Sequence, residues 1–248
     1  MELSKRLQAV ADLVTPGSIL ADVGCDHAYL SICLVQAGKI SRAVAMDVNR
    51  GPLGRAQEHI RQFGLEEYIE TRLSDGLSAL APGEADSMAA AGMGGSLMQR
   101  ILEEGREALS GMKELILQPQ SEIPAFRRWL LQNGYRIAAE NMVLEEGKYY
   151  VVMRAVPGSA DWERAIYFRY GKDLLDQAHP VLRKYLDQEE KTFLALQESL
   201  EKAGTEKAQE RLEEVKRELE EVREAKAYER GKRDSGSASE TVAQRAGL

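Results

Sequence analysis

The sequence predicts an α/β fold, a parallel sheet covered by helices on both faces, followed by a separate α-helical coiled-coil domain. Three observations predict it. Short apolar runs ending in Asp or Gly alternate with helically spaced segments from residue 18 to about residue 133, which is the pattern of repeated strand-loop-helix units. A hairpin pattern closes this region. At Pro157-Gly158 the composition turns sharply toward Glu, Lys, Arg and Leu in alternating four- and three-residue steps.

The first helix comes from Leu3, Leu7, Val10 and Val14, which share one face, and Pro16-Gly17 ends it. Ser18 to Gly24 is an apolar strand, and His27 to Ala37 has helical spacing. Ala43 to Val48 repeats the strand and Gly51 to Phe63 the helix. Ile69 to Leu73 leads into Ser74-Asp75-Gly76, and Ala85 to Ala91 leads into Gly92-Met93-Gly94-Gly95 and a helix over residues 96–109. Glu114 to Pro119 is a fifth strand, with its helix from Ala125 to Asn133. Tyr135 to Leu144 and Tyr149 to Val156 flank Glu145-Glu146-Gly147-Lys148, so an antiparallel pair is expected at one edge of the sheet.

This assigns residues 1–156 to the sheet domain and 157–230 to a helical coiled-coil hairpin. Leu182, Leu186, Phe193, Leu196 and Leu200 form one seam, with Glu189 in one of its slots, and Leu212, Val215, Leu219 and Val222 form another. Gly204 between them makes an antiparallel hairpin economical, while an intermolecular coil has the same pattern, so a monomer and a coiled-coil-mediated dimer both fit. Residues 231–248 are small, polar and aperiodic, and are expected to be a disordered tail.

With 248 residues, 44% of them hydrophobic, the chain can bury one ordinary domain and a smaller appendage. Its apolar stretches are short and interrupted by Asp, Gly or Arg, so no membrane span is expected. The N-terminus enters an amphipathic pattern directly, without a signal-peptide core. Cys25 and Cys33 are too close together for a useful disulfide loop, which points to a reducing, cytoplasmic setting. A net charge of -7 disfavours coating of nucleic acid by bulk charge. Local basic patches are still possible at Lys5/Arg6, Arg127/Arg128, Arg164/Arg169/Lys172 and Arg183/Lys184. His27, His59 and His179 are far apart in sequence and no pair has metal-ligand spacing, so no metal site is expected.

Ligands of an open parallel sheet bind outside the carboxyl ends of its strands. Here those ends carry small and acidic residues. In Asp22-Val23-Gly24-Cys25-Asp26-His27-Ala28-Tyr29, Gly24 permits a close backbone approach, yet Asp26 stands where a dinucleotide fingerprint has its second glycine. Carboxylates beside a pyrophosphate would repel it, so a cationic ligand is favoured. Asp47 closes the second strand, where a carboxylate accepts from ribose hydroxyls, and Asp75-Gly76 can meet an adenine amine. S-adenosylmethionine, with its ribose, adenine and sulfonium cation, suits three acidic strand ends better than a phosphate ligand does. Any one of these Asp residues could be only a helix N-cap; three in succession favour a ligand. Gly92-Met93-Gly94-Gly95 has no nucleophile and offers a floor on which a planar base can approach the methyl donor. It lacks the Pro-Pro-aromatic signature of exocyclic adenine methylation.

Taken together, Leu3-Ser4-Lys5-Arg6-Leu7, the Asp22 to Leu30 loop, Ser74-Asp75-Gly76-Leu77, Ala91-Gly92-Met93-Gly94-Gly95 and Leu115-Ile116-Leu117-Gln118-Pro119 resemble the bacterial tRNA (adenine-22-N1)-methyltransferase family. The resemblance covers residues 3 to about 156 and, more loosely, the coiled-coil region. It implies a class I Rossmann-like methyltransferase fold, S-adenosylmethionine as cofactor and tRNA as substrate. Cys25, Ser31 and Gln120 stand where members of the family often have Ser, Pro and Asn.

The cofactor-binding set expected on these grounds is Arg6, Asp22, Gly24, Asp26, His27, Asp47, Asp75, Gly76, Gly92 and Met93. Arg6 is expected to pair with the methionine carboxylate. The catalytic pair expected is Asp26, to stabilise the cation developing on the base, and Tyr29, to stack on a base. Two rival readings are a methyltransferase acting on a small molecule or protein, and a non-catalytic RNA-binding scaffold on the same fold.

Overall fold

The computed structural model of the chain describes residues 2–203 and 205–246, the side chains of 235–246 apart. The chain divides into two compact units, Met1–Asp161 and Trp162–Leu248.

In the first unit, β1 (Ile19–Val23), β2 (Arg42–Asp47), β3 (Ile69–Leu73), β4 (Ser87–Met93) and β5 (Glu114–Pro119) pair in parallel. They are completed by an antiparallel hairpin, β6 (Tyr135–Glu145) and β7 (Lys148–Pro157). The seven strands run in the order β3-β2-β1-β4-β5-β7-β6, so the hairpin lies at one edge as its sequence pattern predicts. The central strands are buried almost without interruption, and β5 is buried along its whole length, as a sheet covered on both faces requires. The hairpin turns at Glu146 (φ 48°) and Gly147 (φ 76°), two left-handed residues whose twist matches the flanking strands.

Helices α1 (Lys5–Leu13), α2 (Tyr29–Gln36), α3 (Arg50–Gln62), α4 (Gly95–Glu104) and α5 (Ile123–Gln132) complete this unit. Ser4 Oγ caps α1 by accepting from the Leu7 N–H at 3.2 Å, while Ala9, Val10 and Ala11 are buried. α2 begins two residues later than its spacing predicts, because Asp26 and Ala28 hold left-handed backbone. α4 is shorter than the predicted 96–109: the chain leaves the helix at Gly105 and continues in turns. Arg127, a basic-patch candidate in the sequence, is instead fully buried, its Nε donating to Glu140 Oε1 at 2.8 Å. Such a pair is costly to break, since either partner alone would be an uncompensated buried charge.

The second unit contains α6 (Ala165–Tyr170), α7 (Lys172–Asp176), α8 (Pro180–Ala203) and α9 (Glu206–Ala246). α8 and α9 pack together within one chain. Arg183 near the start of α8 meets Glu229 far along α9, whereas Glu190 further along α8 meets Arg223 and Lys226, so the pairing is antiparallel. Leu182 and Leu186 of one seam, and Val215, Leu219 and Val222 of the other, are buried. Glu189, the polar residue in the first seam, accepts from the hydroxyls of Tyr170 (2.9 Å) and Tyr185 (2.8 Å). Arg164, Arg169 and Arg183 are taken up by Glu224, Glu221 and Glu229, so these basic-patch candidates are neutralised locally. α9 continues through residues 231–246, where composition predicts no regular structure; adding one residue to an existing helix costs far less than nucleating one. Gly204, expected at the turn, lies outside the described residues, as do the last two residues of the predicted tail.

Candidate active site

The strand order changes direction at β1, which has β2 on one side and β4 on the other, and the crevice outside this point is where such sheets bind ligands. Two adjoining clefts open there. One, of about 310 Å³, is lined by Arg6, Asp22, Gly24, Asp26, His27, Tyr29 and Gly92 among others. The other, of about 390 Å³, is lined by Gly24, Asp47, Asp75, Gly76, Gly92 and Met93 among others. The residues singled out in the sequence therefore converge on one groove, with Gly24, Ala91 and Gly92 common to both parts.

The floor is built from the turn after β1. The Gly24 and Cys25 N–H groups both donate to the Met46 carbonyl, at 2.8 and 2.9 Å, tying this turn to the end of β2. Gly24 has φ 71°, which favours glycine, and a Cβ there would force the flexible end of the Met93 side chain to shift. Asp47 fastens the two loops together. Its Oδ1 accepts from the Asn49 N–H at 2.8 Å and its Oδ2 from the Asp26 N–H at 3.4 Å. A carboxylate has about four acceptor positions, so Asp47 keeps capacity for a ligand's hydroxyls. Neither Asp22 nor Asp47 is a helix cap; the caps of α2 and α3 are Ala28 and Asn49.

Asp22 lies at the bottom of the first cleft, buried, with Ser31 Oγ donating to its Oδ2 at 2.7 Å. Burial pushes its acid up to about 6 against the pull of the Ser31 hydrogen bonds, and the nearby Asp47 charge adds to the rise. Cys25 is buried beside it. Burial drives the Cys25 thiol well above its ordinary range, with Asp22 and Asp47 adding to the effect, so it is no nucleophile at neutral pH. Asp26 stands at the mouth, its side chain 69% exposed, with Oδ1 3.5 Å from His27 Nε2 and 3.8 Å from Arg55 Nη2. Asp75 faces outward beside Arg100, 3.5 Å away.

Two residues escape the sequence reading of the cofactor site. Gln118 is fully buried at the end of β5, and its Oε1 accepts from both Arg6 Nη1 and the Gly92 N–H at 3.0 Å. It thereby holds a guanidinium and a glycine turn that are 86 residues apart in sequence, Arg6 and Gly92. Its signals in the sequence were a polar residue near the end of an apolar run and its place in the Leu115-Ile116-Leu117-Gln118-Pro119 motif, neither of which tells what it holds. His59 is the other. Its ring lies 5.4 Å from that of His27 and 5.0 Å from that of Tyr29, so two histidines distant in sequence meet as stacked rings. Among the described residues, no group of three His, Cys, Asp or Glu side chains is arranged to hold a metal ion.

A methyltransferase-domain family matches residues 3–153. The tRNA (adenine(22)-N(1))-methyltransferase of Bacillus subtilis (strain 168) is 41% identical over 161 residues, 65% of this chain and 68% of that protein. Among solved structures, the B. subtilis m1A22 tRNA methyltransferase TrmK superposes with a TM-score of 0.80 at 35% identity, over 90% of this chain and 98% of that one. Streptococcus pneumoniae Sp1610 in complex with S-adenosyl-L-methionine superposes with a TM-score of 0.78 at 36% identity, over 90% of this chain and 99% of its own. With the groove in the expected place and this likeness sustained over nearly the whole chain, the protein belongs to the bacterial tRNA (adenine-22-N1)-methyltransferase family.

Proposed function

We propose that this chain transfers a methyl group from S-adenosylmethionine to N1 of adenine 22 in tRNA. The observation that carries the substrate is the 41% identity with the B. subtilis tRNA (adenine(22)-N(1))-methyltransferase. The groove carries the cofactor. Its donors and acceptors fit S-adenosylmethionine: Asp47 for the ribose hydroxyls, Asp75 and Gly76 for the adenine edge, Gly24, Gly92 and Met93 for close approach, Arg6 for the methionine carboxylate. Asp22, Asp26 and His27 complete the cofactor-facing set, the two carboxylates giving the groove a field that favours a cation. S-adenosylmethionine supplies an electrophilic methyl carbon on a positively charged sulfur.

Adenine N1 has an in-plane lone pair and needs no base before it attacks that carbon. The protein's work is then to align, to exclude water and to meet the positive charge that the base acquires. Gln118 fixes Arg6, so the end of the groove that receives a carboxylate is set before any ligand arrives. Asp26, a carboxylate exposed at the mouth beside His27, is assigned the stabilisation of the methylated, cationic ring. Tyr29, 37% exposed at the same mouth, offers a ring face for the base, which must leave its stack to reach the groove.

α8 and α9 cover each other's apolar seams within one chain, which supports a monomer as the working form. No helix among the described residues is long and apolar enough to cross a membrane. The tRNA substrate supports a cytoplasmic location. The test is methyl transfer from labelled S-adenosylmethionine to an unmodified tRNA transcript, digestion to nucleosides and identification of the labelled base. N1-methyladenosine at position 22, lost when that adenine is replaced, is the expected result. Cofactor binding without incorporation into tRNA would overturn the substrate and point to a small molecule or a protein.

A further inference from the structure

Asp26 and Ala28 hold φ of 50° and 58°, left-handed backbone that is strained for residues other than glycine. α2, which starts immediately afterwards, has no side-chain N-cap to anchor the turn. The segment from Asp26 to Tyr29 therefore persists only where its surroundings hold it. Part of the hold is backbone, through the Gly24 and Cys25 N–H groups on Met46 and the Ala28 N–H on the Cys25 carbonyl at 2.7 Å. The rest comes from α3.

Arg55 and His59 stand four residues apart on α3 and so share a face. A carbonyl can only accept, so the 3.2 Å contact between His59 Nδ1 and the His27 carbonyl has the imidazole N–H donating. The His59 ring also lies against Tyr29 at 5.0 Å and 18°, and against His27 at 5.4 Å and 24°, while His27 and Tyr29 stack on each other at 5.3 Å and 7°. Arg55 Nε donates to His27 Nε2 at 3.3 Å, and its Nη2 lies 3.8 Å from Asp26 Oδ1. Each side chain that this segment presents at the mouth of the groove thus has a partner on α3.

We propose that Arg55 and His59 are positioning residues for methyl transfer, holding Asp26 and Tyr29 through His27 in the orientation that meets the incoming base. This rests on the methyltransferase reading above. Because their contacts are with Asp26, His27 and Tyr29 at the mouth and not with Gly24, Asp47 or Gly92, their loss acts more strongly on turnover than on cofactor affinity. The two contributions of His59 are separable. His59→Phe keeps a ring and loses the N–H; His59→Asn keeps a donor near the Nδ1 position and loses the ring; His59→Ala loses both.

The experiment uses the full-length enzyme and measures kcat and KM with an unmodified tRNA transcript beside direct titration of S-adenosylmethionine. His59→Ala is expected to lower kcat by about tenfold to a hundredfold, the scale of a small misplacement of reacting groups. Its cofactor affinity should fall by much less than kcat, and His59→Phe and His59→Asn should each recover part of the lost kcat. Wild-type kcat in His59→Ala would overturn the inference. So would losses of cofactor affinity that match the losses of kcat across the three variants, because that is the behaviour of a merely structural residue. Arg55 is half exposed, and Arg55→Gln provides a second variant should His59→Ala fail to fold; it too is expected to lower kcat at saturating tRNA. A wild-type enzyme that makes no N1-methyladenosine would instead overturn the activity itself, which separates the two failures.

Discussion

The Ser31 hydroxyl donates to Asp22 Oδ2 at 2.7 Å, and both side chains are buried beneath the first cleft. A proline at this position could not make that bond. Even with it, burial keeps the Asp22 acid up at about 6. Affinity for a cationic cofactor should therefore weaken as pH falls through about 6, where the carboxylate is neutralised. Calorimetric titration of S-adenosylmethionine from pH 8 to pH 5 checks this. Asp22→Asn should bind more weakly at pH 8 and show a flatter profile, whereas an unchanged profile would remove Asp22 from the site.

Folding stability responds to the same group in the opposite sense. The folded-state value, about 6, lies above the ordinary 3.8, so the contribution of Asp22 to stability is fully present below pH 3.8 and is lost as pH rises through 6. Asp22→Asn is expected to melt higher than wild type at pH 8, by at most about 3 kcal/mol, and to lose that advantage near pH 4. Thermal denaturation at the two pH values is the measurement.

Gly24→Ala should fold but bind cofactor poorly. A left-handed alanine costs about 1–2 kcal/mol, and its methyl group would displace the Met93 side chain, which lines the groove. Combining it with Met93→Ala removes the collision and leaves the strain. The double variant is expected to stay less stable than wild type in urea; full recovery would show that the collision, and not the backbone, was the cost.

Much of this groove was legible in the sequence because strand ends are local features. An apolar run that stops at Asp22-Val23-Gly24 or at Asp47 marks where a strand releases its chain, and a parallel sheet gathers those points along one edge. The hairpin was legible for the same reason, its turn being written in Glu146 and Gly147. The grip of α3 on the first loop was not. His27 and His59 are joined by the geometry of the βαβ crossover, and nothing in the spacing of two histidines tells a ring stack from two surface residues. Arg127 failed differently: a charged pair in sequence reads as surface, and only the position of Glu140 across α5 and β6 explains its burial.

Gln118 supports a prediction that sequence spacing would not have raised. Gln118→Leu deprives Arg6 and the Gly92 N–H of their shared acceptor, two part-buried hydrogen bonds each contributing about 0.5–1.5 kcal/mol. The expected result is a rise in KM for S-adenosylmethionine of about tenfold with kcat little changed, read from initial rates at saturating tRNA.

Asp26→Asn is expected to keep the loop, since Asn tolerates left-handed backbone, while losing the charge at the mouth. Turnover should fall by about a hundredfold, with a much smaller loss of cofactor affinity. Full turnover in this variant, measured on the same transcript, would remove Asp26 from the chemistry.

The charged partners across the helical pair act as index marks. A slide of α8 along α9 by one turn would part Arg183 from Glu229, and Lys226 from Asp187 and Glu190, and would leave the nearly buried Glu229 without its cation. The pair thus has a single zero point, and α8, with 24 residues, gives it a length of about 36 Å. The helical pair is therefore a rod of fixed length, unable to lengthen or shorten by one helix sliding along the other.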